Sequence, residues 1–218
     1  MDTPIVPSKV RTVFEGRVFT VRVESITLPK GHALEAEVVR HPGSVVIVPM
    51  NDANDIVLVR QYRHAIGRYT WEVPAGSLKP GEDPKAAARR ECQEEIGLVA
   101  DRLEPLGSFF PTPGYCNEEM HFFLAAALRE PRAGDDEAHQ DEDEDIQTRW
   151  VPLAELRAMI ARAEIVDLKT VGAVMLLSPL TGGPASWRRR PESSTPATPR
   201  QPPLRGTAAW QSPGNPES

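Results

Sequence analysis

Four glutamates are concentrated in one short segment, Gly76–Leu98, which reads GSLKPGEDPKAAARRECQEEIGL. Glu91, Glu94 and Glu95 are spaced i, i+3 and i+4, so on an α-helix they lie on one face. Carboxylates at this spacing repel one another, and a cation beside them stabilises the helix. Mg²⁺ prefers oxygen ligands of this kind and often binds substrate phosphates as well. The spacing favours metal-assisted phosphate chemistry; the alternative is a soluble, charged helix face.

Local signals mark both ends of this helix. Asp83 suits the N-cap, Pro84 the first helical position and Gly97 a left-handed C-terminal stop. Arg90 is placed to pair with Glu94 at i, i+4, which would fix that carboxylate. The expected core face consists of residues spaced four apart, Ala88, Cys92 and Ile96.

Composition limits the class of protein. A chain of 218 residues suits one domain with appendages, and its net charge of −6 argues against a protein that holds nucleic acid. Two cysteines, Cys92 and Cys116, cannot form a disulfide framework, and no apolar run is long enough to span a membrane. The N-terminal residues show no secretion signal, so we expect a cytoplasmic protein without a membrane partner.

The first half of the chain is predicted to be mostly strands. Alternating residues around Phe19–Val23 and Leu34–Val38 indicate two strands. The apolar runs SVVIVPM and IVLVRQYR flank a turn at Asn51–Asp55, and we interpret them as a buried hairpin. YTWEVPAG, LEPLGSFF and MHFFLAAAL indicate further strands.

The second half is predicted to contain an acidic loop, two helices and a tail. Asp135–Asp145 is too charged for a core element. Apolar residues at helical spacing follow, first from Leu153 to Ala163 and then from Leu168 to Met175. The remaining residues are rich in Pro, Ser and Arg, which predicts disorder. We divide the chain into an N-terminal β-region (1–43), a main domain (44–180) and a disordered tail (184–218).

The glutamate segment resembles the Nudix box. That pattern is Gly, five residues, Glu, seven residues, Arg-Glu, an aliphatic residue, any residue, Glu-Glu, any residue, Gly and an aliphatic residue. Cys92 is the one departure, and a buried thiol behaves as a small hydrophobe. The matching residues are Gly76, Glu82, Arg90, Glu91, Glu94, Glu95, Gly97 and Leu98.

The resemblance implies an α/β fold, the Nudix α/β/α sandwich with a mixed β-sheet. It also implies hydrolysis of a nucleoside diphosphate linked to another moiety, with Mg²⁺ as cofactor and Mn²⁺ as a substitute. Glu91, Glu95 and Glu94 would be metal ligands, together with the carbonyl of Ala75. Arg90 and Glu82 would orient the metal-binding loop and helix, although Glu82 also suits a simple charge near the helix N-terminus.

The flanks of the box resemble bacterial ADP-ribose pyrophosphatases from Phe14 to about Leu177. The similar segments are VRQYRHAIGRYTWEVPAG and PTPGYCNEE, with Pro113 fifteen residues past Leu98. The resemblance implies cleavage of ADP-ribose to AMP and ribose 5-phosphate. It also implies a homodimer formed through the N-terminal β-region.

The acidic loop gains a role from the same resemblance. Aligning Asp145-Ile146 with the family's Asp and aliphatic residue makes Glu142 the general base and Glu144 an extra metal ligand. Asp141 or Asp143 remain alternatives for the base, as does a loop that is only solvated.

Substrate-binding residues are expected before the box. Arg60 and Arg63 suit phosphate oxygens, with Arg63 the better candidate. Trp71 or Tyr62 would stack on adenine, unless these aromatics belong to the core. Glu72 would hydrogen-bond the base edge, or it is a surface acid at a strand end.

Three other functions remain open. GDP-mannose or another nucleotide sugar is the main alternative substrate. A catalytically idle ligand sensor is an alternative of another class, but such regulators usually carry a DNA-binding domain and none is evident. The acidic composition argues against mRNA decapping.

Overall fold

The computed structural model describes residues 4–135 and 146–177, which form ten strands, three α-helices and one 3₁₀-helix at His64–Ile66. The strands are β1 (Lys9–Glu15), β2 (Thr20–Thr27), β3 (Ala33–Arg40), β4 (Ser44–Pro49), β5 (Asp55–Arg63), β6 (Arg68–Glu72), β7 (Ala75–Ser77), β8 (Val99–Phe109), β9 (Met120–Arg129) and β10 (Gln147–Pro152). The helices are α1 (Pro84–Ile96), α2 (Leu153–Ala161) and α3 (Leu168–Leu176).

The N-terminal region is a separate three-stranded antiparallel sheet in the order β1-β2-β3. Its two predicted strands are confirmed as β2 and β3. Arg40, at the end of β3, donates to both carboxylate oxygens of Glu24, which is buried on β2. This ion pair joins the sheet at the end that leads into β4.

The main domain contains two more sheets. One is mixed, in the order β7-β4-β9-β8, with β4 and β9 parallel, and the other is antiparallel, in the order β10-β5-β6. The predicted hairpin of β4 and β5 is wrong. The turn forms, since Asn51 N–H donates to the Asp55 carbonyl at 3.0 Å, but the two strands then enter different sheets.

Helices cover the strands from two sides. One side of β4, through Val45 and Ile47, packs in the same apolar cluster as the α1 residues Ala88, Cys92 and Ile96. The other side of β4 packs in a second cluster, which includes Leu156 and Met159 of α2 and Ala173 and Val174 of α3. This arrangement confirms the predicted α/β/α sandwich and explains why β4 is buried at every residue.

The path of the chain brings several elements to one place. β6 ends at Glu72, two residues lead to β7 at Ala75, and a loop then leads to the start of α1 at Pro84. Within the described residues, no helix is long and apolar enough to cross a membrane. The predicted tail (184–218) lies outside the described residues.

Candidate active site

The ends of α1 follow the predicted signals. The Asp83 side chain accepts from Ala86 N–H at 3.0 Å, and Pro84 is the first helical residue. Gly97 adopts a left-handed φ of 71° and donates to the Gln93 carbonyl at 3.0 Å. Cys92 lies fully inside, where burial raises the pKa of its thiol to about 12, so it serves as a small apolar residue.

Arg90 lies at the centre of the box glutamates. Its Nη1 donates to Glu91 Oε1 and Glu94 Oε2, both at 2.6 Å. Its Nε and Nη2 donate to the two oxygens of Glu82 at 2.9 and 3.0 Å. One guanidinium therefore contacts three carboxylates and connects the helix to the loop that precedes it.

The charges in this cluster do not balance. Hydrogen bonding to Arg90 lowers the pKa of Glu82. Hydrogen bonding to Glu82, together with the nearby charge of Glu91, raises the pKa of Arg90. Both partners are therefore ionised at neutral pH. Glu91 and Glu95 are only 9% and 8% exposed. Arg90 contacts three of the four box glutamates, and Glu95 lies beside them, so the box carries four carboxylates to one guanidinium in a partly buried place, which favours cations.

Gly76 forms a cradle for Glu91. A Cβ at position 76 would lie 2.0 Å from Glu91 Cδ and Oε1, so glycine leaves the room that this carboxylate occupies. Next to it, Ala75 N–H donates to Glu95 Oε2 at 3.2 Å. The Ala75–Gly76 backbone thus lies against two of the glutamates.

The residues of this cluster fit a hard divalent cation. Carboxylate and carbonyl oxygens are its preferred ligands, and the Gly76 cradle brings backbone and carboxylates together. In the part of the chain that the structure describes, no group of three or more His, Cys, Asp or Glu side chains is arranged to hold a metal ion by itself. Mg²⁺ does not require one, because it keeps several waters and takes substrate phosphates as ligands.

A cleft of about 820 Å³ opens over these glutamates. The box supplies one wall, with Arg90, Glu91, Glu94 and Glu95. The N-terminal sheet supplies another wall through residues 16–20 and Arg40, and Gln61 and Arg63 also line the cleft. The cavity thus has carboxylates on one side and arginines on others, which suits a phosphate group bound through a cation.

Glu72 and Arg63 form a second polar group at the edge of this cleft. Glu72 is 2% exposed and accepts from Arg63 Nε at 2.9 Å and Nη2 at 2.6 Å. Thr70 and Lys169 also donate to it. Burial alone raises the pKa of a carboxyl group, but Arg63, Lys169 and Thr70 outweigh it and lower the pKa of Glu72 to about 2.

This burial decides between the two predicted environments of Glu72. A carboxylate accepts about four hydrogen bonds, and Arg63, Thr70 and Lys169 supply four to Glu72. Glu72 is therefore not a surface acid, and its predicted contact with the base edge stays a prediction.

The structure does not bring Arg60 and Trp71 to the cleft of this chain. Alternate residues of a strand face opposite sides, so Trp71 faces away from Thr70 and Glu72. Its ring lies 3.9 Å from the Arg149 guanidinium in a separate cavity. Arg60 lies 4.2 Å over the Tyr69 ring.

Tyr62, the alternative aromatic, lies edge-on to Tyr69, with 5.3 Å between the ring centroids. The stacking role predicted for Trp71 or Tyr62 therefore has no counterpart in the cleft of a single chain.

The acidic-loop assignments fall on undescribed residues. Glu142 and Glu144, with the alternatives Asp141 and Asp143, lie outside the ranges 4–135 and 146–177. The neighbouring Gln147 begins β10, which pairs with β5 at Arg60.

Sequence reasoning missed several polar residues in or beside the cleft, among them Gln61, Arg40 and Lys169. Gln61 follows from strand alternation once Arg63 is placed there, so its signal was present. Arg40 and Lys169 come from distant parts of the chain, and no local pattern identifies them. Lys169 is 97 residues from its partner Glu72.

Comparison with known proteins agrees with this geometry. The pattern of the NUDIX domain matches residues 40–171. An ADP-ribose pyrophosphatase of Mycobacterium tuberculosis (strain ATCC 25618 / H37Rv) is 39% identical over 178 residues, covering 81% of this chain and 84% of that protein. One from Bacillus subtilis (strain 168) is 35% identical over 165 residues, covering 76% and 88%.

Two other relatives extend the comparison. A methanol dehydrogenase activator of Bacillus methanolicus is 38% identical over 169 residues, covering 78% of this chain and 90% of that protein. A solved ADP compounds hydrolase superposes with a TM-score of 0.68 at 26% identity, covering 80% and 92% of the two chains. With the box residues gathered on α1 and a family match over more than half of its length, the chain belongs to the Nudix family of hydrolases.

Proposed function

We propose that this chain hydrolyses the pyrophosphate of a nucleoside diphosphate sugar, with ADP-ribose as substrate and AMP and ribose 5-phosphate as products. The observation that carries the proposal is the glutamate cluster around Arg90, which lines a cleft large enough for a nucleotide sugar. Two relatives at 35% and 39% identity that are named ADP-ribose pyrophosphatases support the choice of substrate.

The residues that would hold Mg²⁺ are Glu91, Glu94, Glu95 and the Ala75 carbonyl, with Glu144 as an additional ligand. When bound, the cation neutralises the pyrophosphate and polarises the attacking water. Arg90 and Glu82 orient the metal-binding loop and helix, because the hydrogen bonds between them hold α1 against the preceding loop.

Arg63 is proposed to bind the substrate phosphates. It lines the cleft, and its Nε and Nη2 are engaged by Glu72, so Nη1 is the nitrogen turned away from that carboxylate. A guanidinium fixed in this way loses less entropy when it binds an anion. Arg60 and Trp71 have no such position in a single chain and are not part of this proposal.

The proposed reaction is attack of water on one phosphorus atom. The new P–O bond forms as the bridging P–O bond breaks, and the leaving phosphate retains the bridging oxygen. Glu142 is proposed to take the proton of the water. Glu142→Gln should lower the rate far more than it weakens metal binding, whereas an unchanged rate would assign the base to Asp141 or Asp143.

We also propose that the protein is a cytoplasmic homodimer joined through the N-terminal sheet. β1 is exposed at all seven residues, and apolar side chains are among them. Val10, Val13 and Phe14 are 49%, 48% and 53% exposed, which is unusual for clustered apolar residues of a lone chain.

A substrate panel tests the proposed function. The protein is incubated with Mg²⁺ or Mn²⁺ and ADP-ribose, GDP-mannose, NADH, diadenosine polyphosphates or oxidised nucleotides, and kcat/KM is compared. We expect ADP-ribose to be preferred, and ¹⁸O-labelled water to reveal which phosphorus is attacked. Equal rates across the panel would contradict the substrate, a preference for GDP-mannose would support the alternative, and binding without turnover would indicate a ligand sensor.

A further inference from the structure

A buried chain of hydrogen bonds runs from the N-terminus of α3 to the end of β5. Lys169 on α3 donates through Nζ to Glu72 Oε2, and Glu72 in turn accepts from Arg63 at 2.9 and 2.6 Å. The Lys169 side chain is 9% exposed and that of Glu72 is 2% exposed. Arg63 is therefore connected, through one buried carboxylate, to a lysine more than a hundred residues further along the chain.

Lys169 is itself held in place. Its Nζ lies 3.0 Å from Asp167 Oδ2, and Asp167 caps α3 by accepting from Thr170 N–H at 3.0 Å and from Thr170 Oγ1 at 2.6 Å. Thr170 Oγ1 also accepts from Val73 N–H at 2.9 Å. The start of α3 is thereby bonded to the segment that leads into Ala75 and Gly76.

Arg63 lies where two cavities meet. It lines both the 820 Å³ cleft and an adjoining cavity of about 460 Å³, together with Ala75, Gly76 and Ser77. Lys169 and Glu72 line the adjoining cavity and not the cleft, and Lys169 also borders a third cavity of about 380 Å³ beside Met175. Lys169 is thus not among the residues that line the cleft, and its hydrogen bonds connect it to the cleft through Glu72 and Arg63.

The charges of this group depend on Lys169. Arg63 and Lys169 balance Glu72 and Asp167, so the four groups together are formally neutral. Without Lys169 the group would carry a net negative charge beside the place proposed for the substrate phosphates. Glu72 would also have one fewer donor to fix its orientation, and Arg63 would be held less firmly.

We propose that Lys169 is a positioning residue that fixes Arg63 through Glu72 and keeps the surrounding charge neutral, so that Arg63 binds the diphosphate of the substrate. This inference rests on the proposed function and adds a residue to it that lies outside the box. Lys169 acts on substrate affinity, and the chemical step depends on the box glutamates.

Steady-state kinetics on ADP-ribose test the inference with Lys169→Gln, which removes the charge and keeps a donor. We expect KM to rise roughly tenfold and kcat to change by less than about threefold, since the lost interaction serves binding. Lys169→Arg, which restores the cation, should recover most of the affinity. Lys30→Met, in the exposed turn between β2 and β3, is the control and should leave KM unchanged.

A double-mutant cycle separates this role from a structural one. In an Arg63→Ala background, Lys169→Gln should change KM by less than about twofold, because the group on which it acts is gone. Its effect on the melting temperature should persist in both backgrounds. Equal fold-changes in KM with and without Arg63 would overturn the inference, and so would an unchanged KM in Lys169→Gln alone.

Two further outcomes are informative. If Lys169→Gln does not fold, Asp167→Asn replaces it in the cycle, because Asp167→Asn removes the second carboxylate that holds Lys169. A rise in KM that vanishes without Arg63 then supports the inference, and any other result overturns it. If the wild-type protein hydrolyses no nucleotide sugar, the proposed function fails. If the wild-type protein is active but the Lys169 and Arg63 substitutions change KM independently, the inference is contradicted and the proposed function is not.

Discussion

Arg90 is the cation that allows the box glutamates to lie together. The spacing of Glu91, Glu94 and Glu95 predicts repulsion, and the structure shows Arg90 Nη1 within 2.6 Å of both Glu91 and Glu94. An arginine side chain relieves the repulsion only in part, since carboxylates remain in excess. The same residues thus hold the helix and its loop together and retain the capacity for a divalent cation.

Gly76→Ala tests whether the position of Glu91 matters for catalysis. The new Cβ would lie 2.0 Å from the Glu91 carboxylate, and a flexible side-chain end can move aside. We therefore expect the fold to survive and kcat to fall by roughly a hundredfold, the scale of a 1 Å misplacement. The measurements are ADP-ribose turnover and thermal unfolding.

Gly172→Ala is the matched control for that substitution. Gly172 lies within α3, and a Cβ added there would meet no other atom within 4 Å. Alanine there should raise the free energy of unfolding by about 0.5–1 kcal/mol and leave activity unchanged. Equal activity of the Gly76→Ala and wild-type proteins would contradict the assignment of Glu91.

The sequence indicates which residues before the box could bind substrate, but it does not show which way their side chains face. Arg63 and Glu72 were both selected as substrate residues, yet only Arg63 lines the cleft, and Glu72 orients it. Strand alternation separates Trp71 from Glu72, but it does not show which of the two faces the cleft. That depends on the packing of β6 between β5 and the start of α3.

At the scale of elements, the sequence predicted the ends of helices better than it predicted which strands pair. The caps of α1 at Asp83 and Gly97 agree with the sequence because they depend on residues nearby. β4 and β5 are both rich in apolar residues, a pattern that fits a hairpin and also fits two strands in different sheets. Each strand has one partner far along the chain, β9 for β4 and β10 for β5, so the local sequence pattern offers no way to choose.

The contact between α3 and β6 predicts a pH dependence of stability. The pKa of Glu72 is lowered from 4.5 to about 2 in the folded protein, so the unfolded chain binds the proton more tightly. Its stabilisation is fully present above pH 4.5 and is lost as the pH falls toward 2. We expect the difference in free energy of unfolding between wild type and Glu72→Gln to shrink over this interval.

Urea unfolding between about pH 7 and about pH 2.5 measures that difference. Glu130→Gln, at an exposed position after β9, serves as the control and should show no comparable change. A difference that stays constant with pH would mean that Glu72 is not ionised within a buried network.

At the scale of the whole molecule, the N-terminal sheet has two roles. It lines the cleft through residues 16–20 and Arg40, and it exposes apolar residues on β1. Val10→Glu with Phe14→Glu should convert the proposed dimer to a monomer, because charges in an apolar interface remain without partners.

Sedimentation velocity or light scattering detects this change in mass. Met175→Glu, at a residue of α3 that is 65% exposed, is the control and should leave the mass unchanged. A wild-type protein that is monomeric at high concentration would contradict the dimer.

The architecture was predictable because the Nudix box specifies a loop and helix whose family fold is known, and the mixed sheet and helices agree with it. The residues proposed to bind or orient the substrate were less predictable. Lys169, Arg40 and Arg63 reach the region of the cleft from three distant parts of the chain, and only the folded structure brings them together.

The most direct test of the glutamate cluster is the hydrolysis of ADP-ribose by wild-type and Glu95→Gln proteins over a range of Mg²⁺ concentrations. Wild type should release AMP and ribose 5-phosphate. Glu95→Gln should keep its fold, shown by circular dichroism, and lose activity by roughly a hundredfold or more at every Mg²⁺ concentration, since even outer partners of a metal site are worth about 10–100-fold. A near-wild-type rate in Glu95→Gln would contradict a catalytic metal site on α1.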